Sequence, residues 1–252
     1  MTRGPPSGES GGIRVGVAGW APPRHVVDRF PGSGTHLQRY AQVFNAVEIN
    51  STFRRKHRPE TFGRWAKSVP AGFQFSVKFP KAITHDARLV GVEEPLKAFL
   101  SEAASLGAAL GPLLLQLPPT LAFDPLIVGP FCERLASLPR FDVACEPRHP
   151  SWFTPKVDRW LKARRISRVA ADPALHSGAG DPGGWRGLSY YRLHGSPKTY
   201  YSHYDPGALA ALEARLERDQ GAKVWCIFDN TAAGAATPNA LTVAGDLRRR
   251  LI

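Results

Sequence analysis

The sequence predicts an α/β protein, a single (β/α)8 TIM-barrel-like domain over residues 13–252. Three observations predict it. Eight short apolar runs recur along the 252 residues. Amphipathic stretches lie between them. The composition, 43% hydrophobic and 21% charged, is that of a globular chain with a real core. Strand alternating with helix eight times, in about 240 residues, is the pattern of such a barrel. A doubly wound open sheet is the competing architecture. The first strand argues against it, because Val15-Gly16-Val17-Ala18-Gly19-Trp20 lacks the full GxGxxG turn that a dinucleotide fold uses.

Residues 1–12 are rich in Gly, Pro and Ser and are expected to be a disordered leader. The strands follow as Ile13–Ala18, Ala46–Asn50, Phe73–Phe79, Gly111–Leu117, Phe141–Glu146, Ser167–Ala171, Leu188–His194 and Ala222–Phe228. Each is rich in β-branched, aromatic or leucine side chains and bounded by Gly, Pro or polar clusters. Between them, a helix opens on Pro59-Glu60 and ends at Pro70. Another spans Glu93 to Leu110, with Leu96, Phe99, Leu100, Ala103 and Leu106 on one face. Pro155 to Arg165 carries Val157, Trp160 and Leu161 at helical spacing. Asp205-Pro206 opens a helix through Leu209, Leu212 and Leu216, with Asp205 as N-cap and Gly221 as its stop. A last helix runs from about Asn239 to Arg250. The Gly- and Pro-rich stretch from Ala174 to Gly187 carries the weakest helical pattern.

Apolar runs such as Leu113–Leu117 fall far short of the roughly 20 residues that span a bilayer. No signal-peptide pattern opens the chain, so a cytoplasmic, non-membrane protein is expected. Cys132, Cys145 and Cys226 read as small buried hydrophobes, with no CxxC pair. The 33 Lys and Arg exceed the 21 Asp and Glu, giving a net charge of +12. The basic runs Arg54-Arg55-Lys56, Arg164-Arg165 and Arg248-Arg249-Arg250 are either solvated faces or attraction for nucleic acid or a phosphorylated ligand.

Strand parity carries the functional reading. Alternate residues share a face. Gln74, Ser76 and Lys78 therefore point one way, and Phe73, Phe75, Val77 and Phe79 point the other, towards the helices. The same parity groups Glu48 with Asn50, Ala144 with Glu146 and Arg148, and Tyr190 with Arg192 and His194. Gln116, His149, Asp172, Asp229 and Asn230 also fall at strand ends. Buried charges must be paired or wet, and the C-terminal rim is where barrel enzymes place their catalytic groups. One rim site is expected, with Glu48, Lys78, Glu146 and His194 as catalytic candidates. Trp20, Asn50, Gln116, Arg148, His149, Arg192 and Asn230 are the substrate-binding candidates. Internal ion pairs, a turn-capping His149 and a core-lid Trp20 are the structural alternatives.

The chain resembles the YecE-like family, also called domain of unknown function 72. The resemblance is carried by Val17-Ala18-Gly19-Trp20, Tyr40 to Phe53 (with Val47-Glu48-Ile49-Asn50-Ser51-Thr52), Phe75-Ser76-Val77-Lys78-Phe79-Pro80 and Ile83-Thr84-His85. It continues through Leu110 to Pro119, Glu146-Pro147-Arg148-His149-Pro150-Ser151-Trp152-Phe153, Tyr191-Arg192-Leu193-His194-Gly195 and Phe228-Asp229-Asn230-Thr231. It implies a TIM-barrel-like fold and a site at the rim residues. It implies no activity. Arg54, where the family usually has Tyr, and Asp229, where it usually has Asn, are departures that change the rim charge.

Two enzyme readings and one binding reading are open on the sequence. A metal-assisted hydrolase would use Glu48, Glu146, Asp172, His194 and one of His85 or His149 as ligands of a divalent metal. Lys78, Arg148 and Arg192 would then neutralise a phosphorylated or nucleic-acid substrate. A metal-free sugar or sugar-phosphate enzyme would use Glu48 and Glu146 as base and acid, with Lys78 as a Schiff-base amine if its pKa is lowered. A non-catalytic binder of nucleic acid or anionic metabolites needs no reactive group.

Overall fold

A computed structural model describes residues 12–137 and 141–250. All but the last residue of the expected leader lies outside them. The expected strands are all present as β1 (Arg14–Val17), β2 (Ala46–Ile49), β3 (Gln74–Lys78), β4 (Leu110–Gln116), β5 (Val143–Glu146), β6 (Ile166–Arg168) with β7 (Ala170–Asp172), β9 (Ser189–Leu193) and β10 (Val224–Phe228). The expected sixth strand is divided at Val169. A two-residue strand, β8 (Gly183–Gly184), fills part of the Gly- and Pro-rich stretch, where no helix forms.

The helices are α1 (His36–Tyr40), α2 (Pro59–Lys67), α3 (Glu93–Ala104), α4 (Pro125–Ala136), α5 (Pro155–Ala163), α6 (Pro206–Arg218) and α7 (Ala236–Arg249). Three of them start in the same way. The Asp124, Thr154 and Asp205 side chains accept from backbone N–H groups in the first turn, and proline follows each cap. Proline at the first helical position loses no hydrogen bond there and presets φ. α4 is absent from the sequence reading, because Gly129-Pro130 inside it looks like a stop. It forms because Val128, Phe131, Cys132 and Leu135 bury a continuous apolar face.

The strands form two sheets. One has the order β1-β10-β9-β7 and is parallel throughout. The other has the order β2-β3-β4-β5-β6-β8 and is parallel except for the β6–β8 pair. The expected closed barrel is not found: what is established is an α/β fold of parallel sheets and helices. At one seam, among the described residues, a single bridge, Ala18 to Glu48, joins the sheets. At the other, residues 166–172 pair first with β5 and then with β9, and Val169 lies at the handover.

The two sheets nonetheless share an interior. Ala46, Leu114, Ala144, Val169, Leu188, Tyr190, Trp225 and Ile227 pack together from both. The opposite faces meet the helices, as parity predicts: Phe79 packs 4.7 Å from Phe99 of α3, ring centre to ring centre. Burying side chains of this size is the main driving force for the fold. Gly16 marks a close approach between the sheets, because a Cβ there would stand 2.2 Å from the Ala46 carbonyl oxygen. The cysteines are buried, and burial pushes the Cys132 thiol up to about 12, which suits packing and not reactivity.

Candidate functional site

Directly beyond the apolar interior lies a polar layer built by strand C-termini. Its centre is Arg192 of β9, fully buried. Its Nε donates to Glu48 Oε2 at 3.0 Å and its Nη2 to Glu48 Oε1 at 2.7 Å. Its Nη1 donates to Glu146 Oε2 at 3.1 Å, and Nη2 also stands 3.0 Å from Asp229 Oδ2. One guanidinium thus holds carboxylates from β2, β5 and the end of β10. The planar fork of five N–H donors makes that possible, and a lysine could not replace it.

His194 bridges the same acids from one residue past β9. Its Nδ1 lies 3.0 Å from Asp229 Oδ2 and its Nε2 lies 3.0 Å from Glu146 Oε1. Two carboxylates facing two ring nitrogens require both nitrogens to donate, so the ring is an imidazolium. Burial alone would lower its pKa, but Glu146 and Asp229 reverse that and raise it. Glu146 is held well below the usual carboxylate range: burial opposes this, and Arg192, His194 and Arg148 overcome it. Asp229 is lowered in the same manner, with Arg192 and His194 outweighing burial. Gln116 Nε2 donates to Glu146 Oε1 at 3.0 Å, and Arg148 Nη2 reaches the same oxygen at 3.2 Å. Tyr190 bonds both Glu48 Oε2 and Ser76 Oγ at 2.9 Å.

Lys78 is the exception. It ends β3 and is only 6% exposed, yet no hydrogen bond or ion pair joins its Nζ to any described residue. Its Nζ instead lies over the Phe53 ring, 4.3 Å from the centroid. Burial and then the Arg192 charge lower its pKa to about 8, against the pull of Glu48, Asp229 and Glu146. The layer therefore sets three carboxylates against four cations, with Lys78 as the cation left over. Next to Glu146 and His194 of this layer, a cavity of about 180 Å³ is lined by those two residues, Arg148, Phe153, Pro173 and Leu175. Tyr200 covers it: its ring lies 5.6 Å from that of His194, and its hydroxyl accepts from Arg148 Nη2 at 3.2 Å.

Of the residues read from sequence, Glu48, Lys78, Glu146, Arg192, His194, Gln116 and Arg148 come together. Asn50 touches the edge of the layer through Asp229 at 3.4 Å. Three others do not join it. Trp20 packs on Trp65 and Phe75, the core-lid alternative. His149 Nδ1 accepts from Ser151 N at 3.2 Å and caps a turn. Asn230 points the other way, with Nδ2 donating to Ser202 O and Asn239 Oδ1. Parity explains this: Trp225 and Ile227 face the shared interior, so Asp229 follows them inward and Asn230 turns out. Counting from Phe228, which faces the helices, selected the wrong neighbour. Tyr190, Ser76 and Tyr200 were also missed as members. The first two had the right parity, and Tyr200 had no sequence signal.

Among the described residues, no three His, Cys, Asp or Glu side chains are placed to hold a metal ion. The reason is occupancy: the oxygens of Glu48 and Glu146 and both nitrogens of His194 already face protein donors or acceptors. Asp172 Oδ1 accepts from Tyr204 at 2.7 Å, and His85 lies against Phe53. Of the basic runs, Arg164 pairs with Glu133, Arg249 with Asp246 and Arg250 with Glu213 and Glu217. The Arg164 and Arg250 pairs tie neighbouring helices together, and the Arg249 pair lies within α7. No helix among the described residues is long and apolar enough to cross a membrane.

Parallel strands flanked by helices, with a cross-strand polar cluster at the strand C-termini, define an α/β protein with a pocket-type site. The chain belongs to the family described as protein of unknown function DUF72, whose model matches residues 14–251. It is 33% identical over 166 residues to UPF0759 protein YecE of Escherichia coli (strain K12), covering 64% of this chain and 59% of that protein. It is 26% identical over 178 residues to UPF0759 protein YunF of Bacillus subtilis (strain 168), covering 68% and 61%. The match thus spans about three-fifths of each relative's length. Among solved structures, a DUF72 family protein from Enterococcus faecalis V583 superposes with a TM-score of 0.77 at 23% identity, covering 94% of this chain and 95% of that one. A DUF72 family protein from Thermotoga maritima MSB8 gives 0.74 at 25% identity, covering 94% and 99%.

Proposed function

We propose that the polar layer is an enzyme site that binds a small phosphorylated or similarly anionic metabolite and acts on it by proton transfer. The two sheets are read here as the two arcs of a (β/α)8-type barrel, with the layer at its C-terminal mouth. The observation that carries the proposal is the surplus cation: Lys78 is buried beside three carboxylates and paired with none of them. Leaving a charge buried without a partner costs several kcal/mol, and a fold keeps such a group where a ligand completes it. Arg148, still a quarter exposed at its side chain and lining the cavity, is the anchor for the anion. His194 carries a proton held between two acids.

The metal-assisted hydrolase reading has less support, because Glu48 and Glu146 would first have to release Arg192. A nucleic-acid ligand would rest on Arg54 and Arg55, which line an outer groove of about 530 Å³ with Lys81. The test is calorimetric titration with glycerol 3-phosphate, beside a single-stranded oligonucleotide. Saturable binding of the small phosphate that is lost in Arg148→Ala supports the proposal. Binding of the oligonucleotide alone, with a steep salt dependence, overturns it.

A further inference from the structure

We propose that Lys78 is an imine-forming lysine, whose Nζ condenses with the aldehyde or ketone carbonyl of the anionic metabolite bound at this mouth. The inference rests on the site reading above and adds the substrate's reactive group.

Geometry sets Lys78 apart. Every carboxylate around it is already satisfied: Glu48 by Arg192 and Tyr190, Glu146 by Arg192, His194, Gln116 and Arg148, and Asp229 by Arg192 and His194. A lysine retained for structure would sit on one of these oxygens, as Arg192 does. Lys78 instead rests its ammonium on the Phe53 face, a contact that holds the side chain without accepting a proton. The same ring packs edge-on against His85, 5.0 Å between ring centres. Burial and a neighbouring guanidinium both favour the free amine, and these are the two recognised ways to make a lysine nucleophilic.

The step balances without a co-reactant. The Lys78 ammonium loses a proton, the free amine attacks the carbonyl carbon, and a carbinolamine forms. Its hydroxyl leaves as water, taking up a proton. The products are a protonated imine on Lys78 and one water. The consequence for the substrate is an electron sink next to the former carbonyl, which makes the adjacent C–H or C–C bond the one to break.

The test uses the whole protein with glyceraldehyde 3-phosphate and sodium cyanoborohydride at neutral pH, followed by peptide mapping. The chain has nine lysines by count of its sequence. A lysine near 8 holds on the order of 100 times more free amine than one at the ordinary ~10.4. Even with its lower basicity, Lys78 should carry about tenfold more reduced adduct than any other lysine. Lys78→Arg should remove that adduct and leave the background. Label spread over surface lysines, with Lys78 no higher, overturns the proposal, and the wild-type map alone decides this if the variant folds poorly. Glycerol 3-phosphate separates the two readings. Saturable binding of it without any Lys78 adduct would leave the anion site standing and the imine refuted. A Lys78 adduct that it does not compete against would do the reverse.

Discussion

Replacing Lys78 with methionine should make the protein more stable at neutral pH. Methionine has similar length and volume and no charge. In the wild type Lys78 is only 6% exposed, and its pKa falls from 10.5 to about 8. At about 1.36 kcal/mol per pKa unit, that shift corresponds to roughly 3 kcal/mol against the charged form. The lost contact with Phe53 takes back on the order of 1 kcal/mol. A net gain of about 1–3 kcal/mol is expected, which is about 2–10 °C in Tm for a chain of this size. The sign with pH is fixed by linkage. Because the folded pKa is depressed, the penalty is full below about 8, and the unfolded chain binds more protons from there up to about 10.5. Wild-type stability therefore rises through that window, and the advantage of the variant vanishes above it. Urea unfolding followed by circular dichroism at both ends of the window measures this. A variant that is less stable at neutral pH, or a difference that does not change with pH, would refute the reasoning that Lys78 is an unpaired buried cation kept for function.

Arg192→Met should cost about 3–5 kcal/mol at neutral pH, since it strands three buried carboxylates. The deficit should shrink on acidification as Glu146 and Asp229, no longer held low, take up protons; a pH-independent deficit would show that the network is not what Arg192 supports. For His194→Gln, the raised imidazole pKa sets the opposite trend. The stability that His194 adds is full below its unfolded pKa of about 6.5 and is lost as pH rises through the folded value, so the wild type's lead in thermal unfolding should narrow with rising pH. Gly16→Ala places a Cβ 2.2 Å from the Ala46 carbonyl oxygen and should destabilise by about 1–3 kcal/mol. A neutral effect on unfolding would mean that the β1–β2 seam is looser than the single Ala18–Glu48 bridge implies.

Much of this was legible because two periodicities survive in the sequence. Alternation in Phe73–Phe79 put Ser76 and Lys78 on the inner face, and Tyr190, Arg192 and His194 fell together for the same reason. Asp205-Pro206 marked the start of α6, and Pro155 with the helical spacing after it marked that of α5. What could not be read depends on long-range choices. Which of Asp229 and Asn230 turns inward is set by Trp225 and Ile227 joining the shared interior, not by the local pattern around Phe228. α4 survives Gly129-Pro130 because its apolar face has a surface to cover. That the strands divide into two sheets, joined at Ala18 and meeting around Val169, was not legible either, because no distinctive residues mark those points. Satisfaction of the acids by Arg192 is likewise a matter of reach across strands.

The protonation of Lys78 is the quantity on which the account turns. Heteronuclear NMR of the side-chain amine through a pH titration measures it at one atom. The account predicts a midpoint near 8, well below the eight other lysines of the sequence. A midpoint at the ordinary ~10.4 would contradict it.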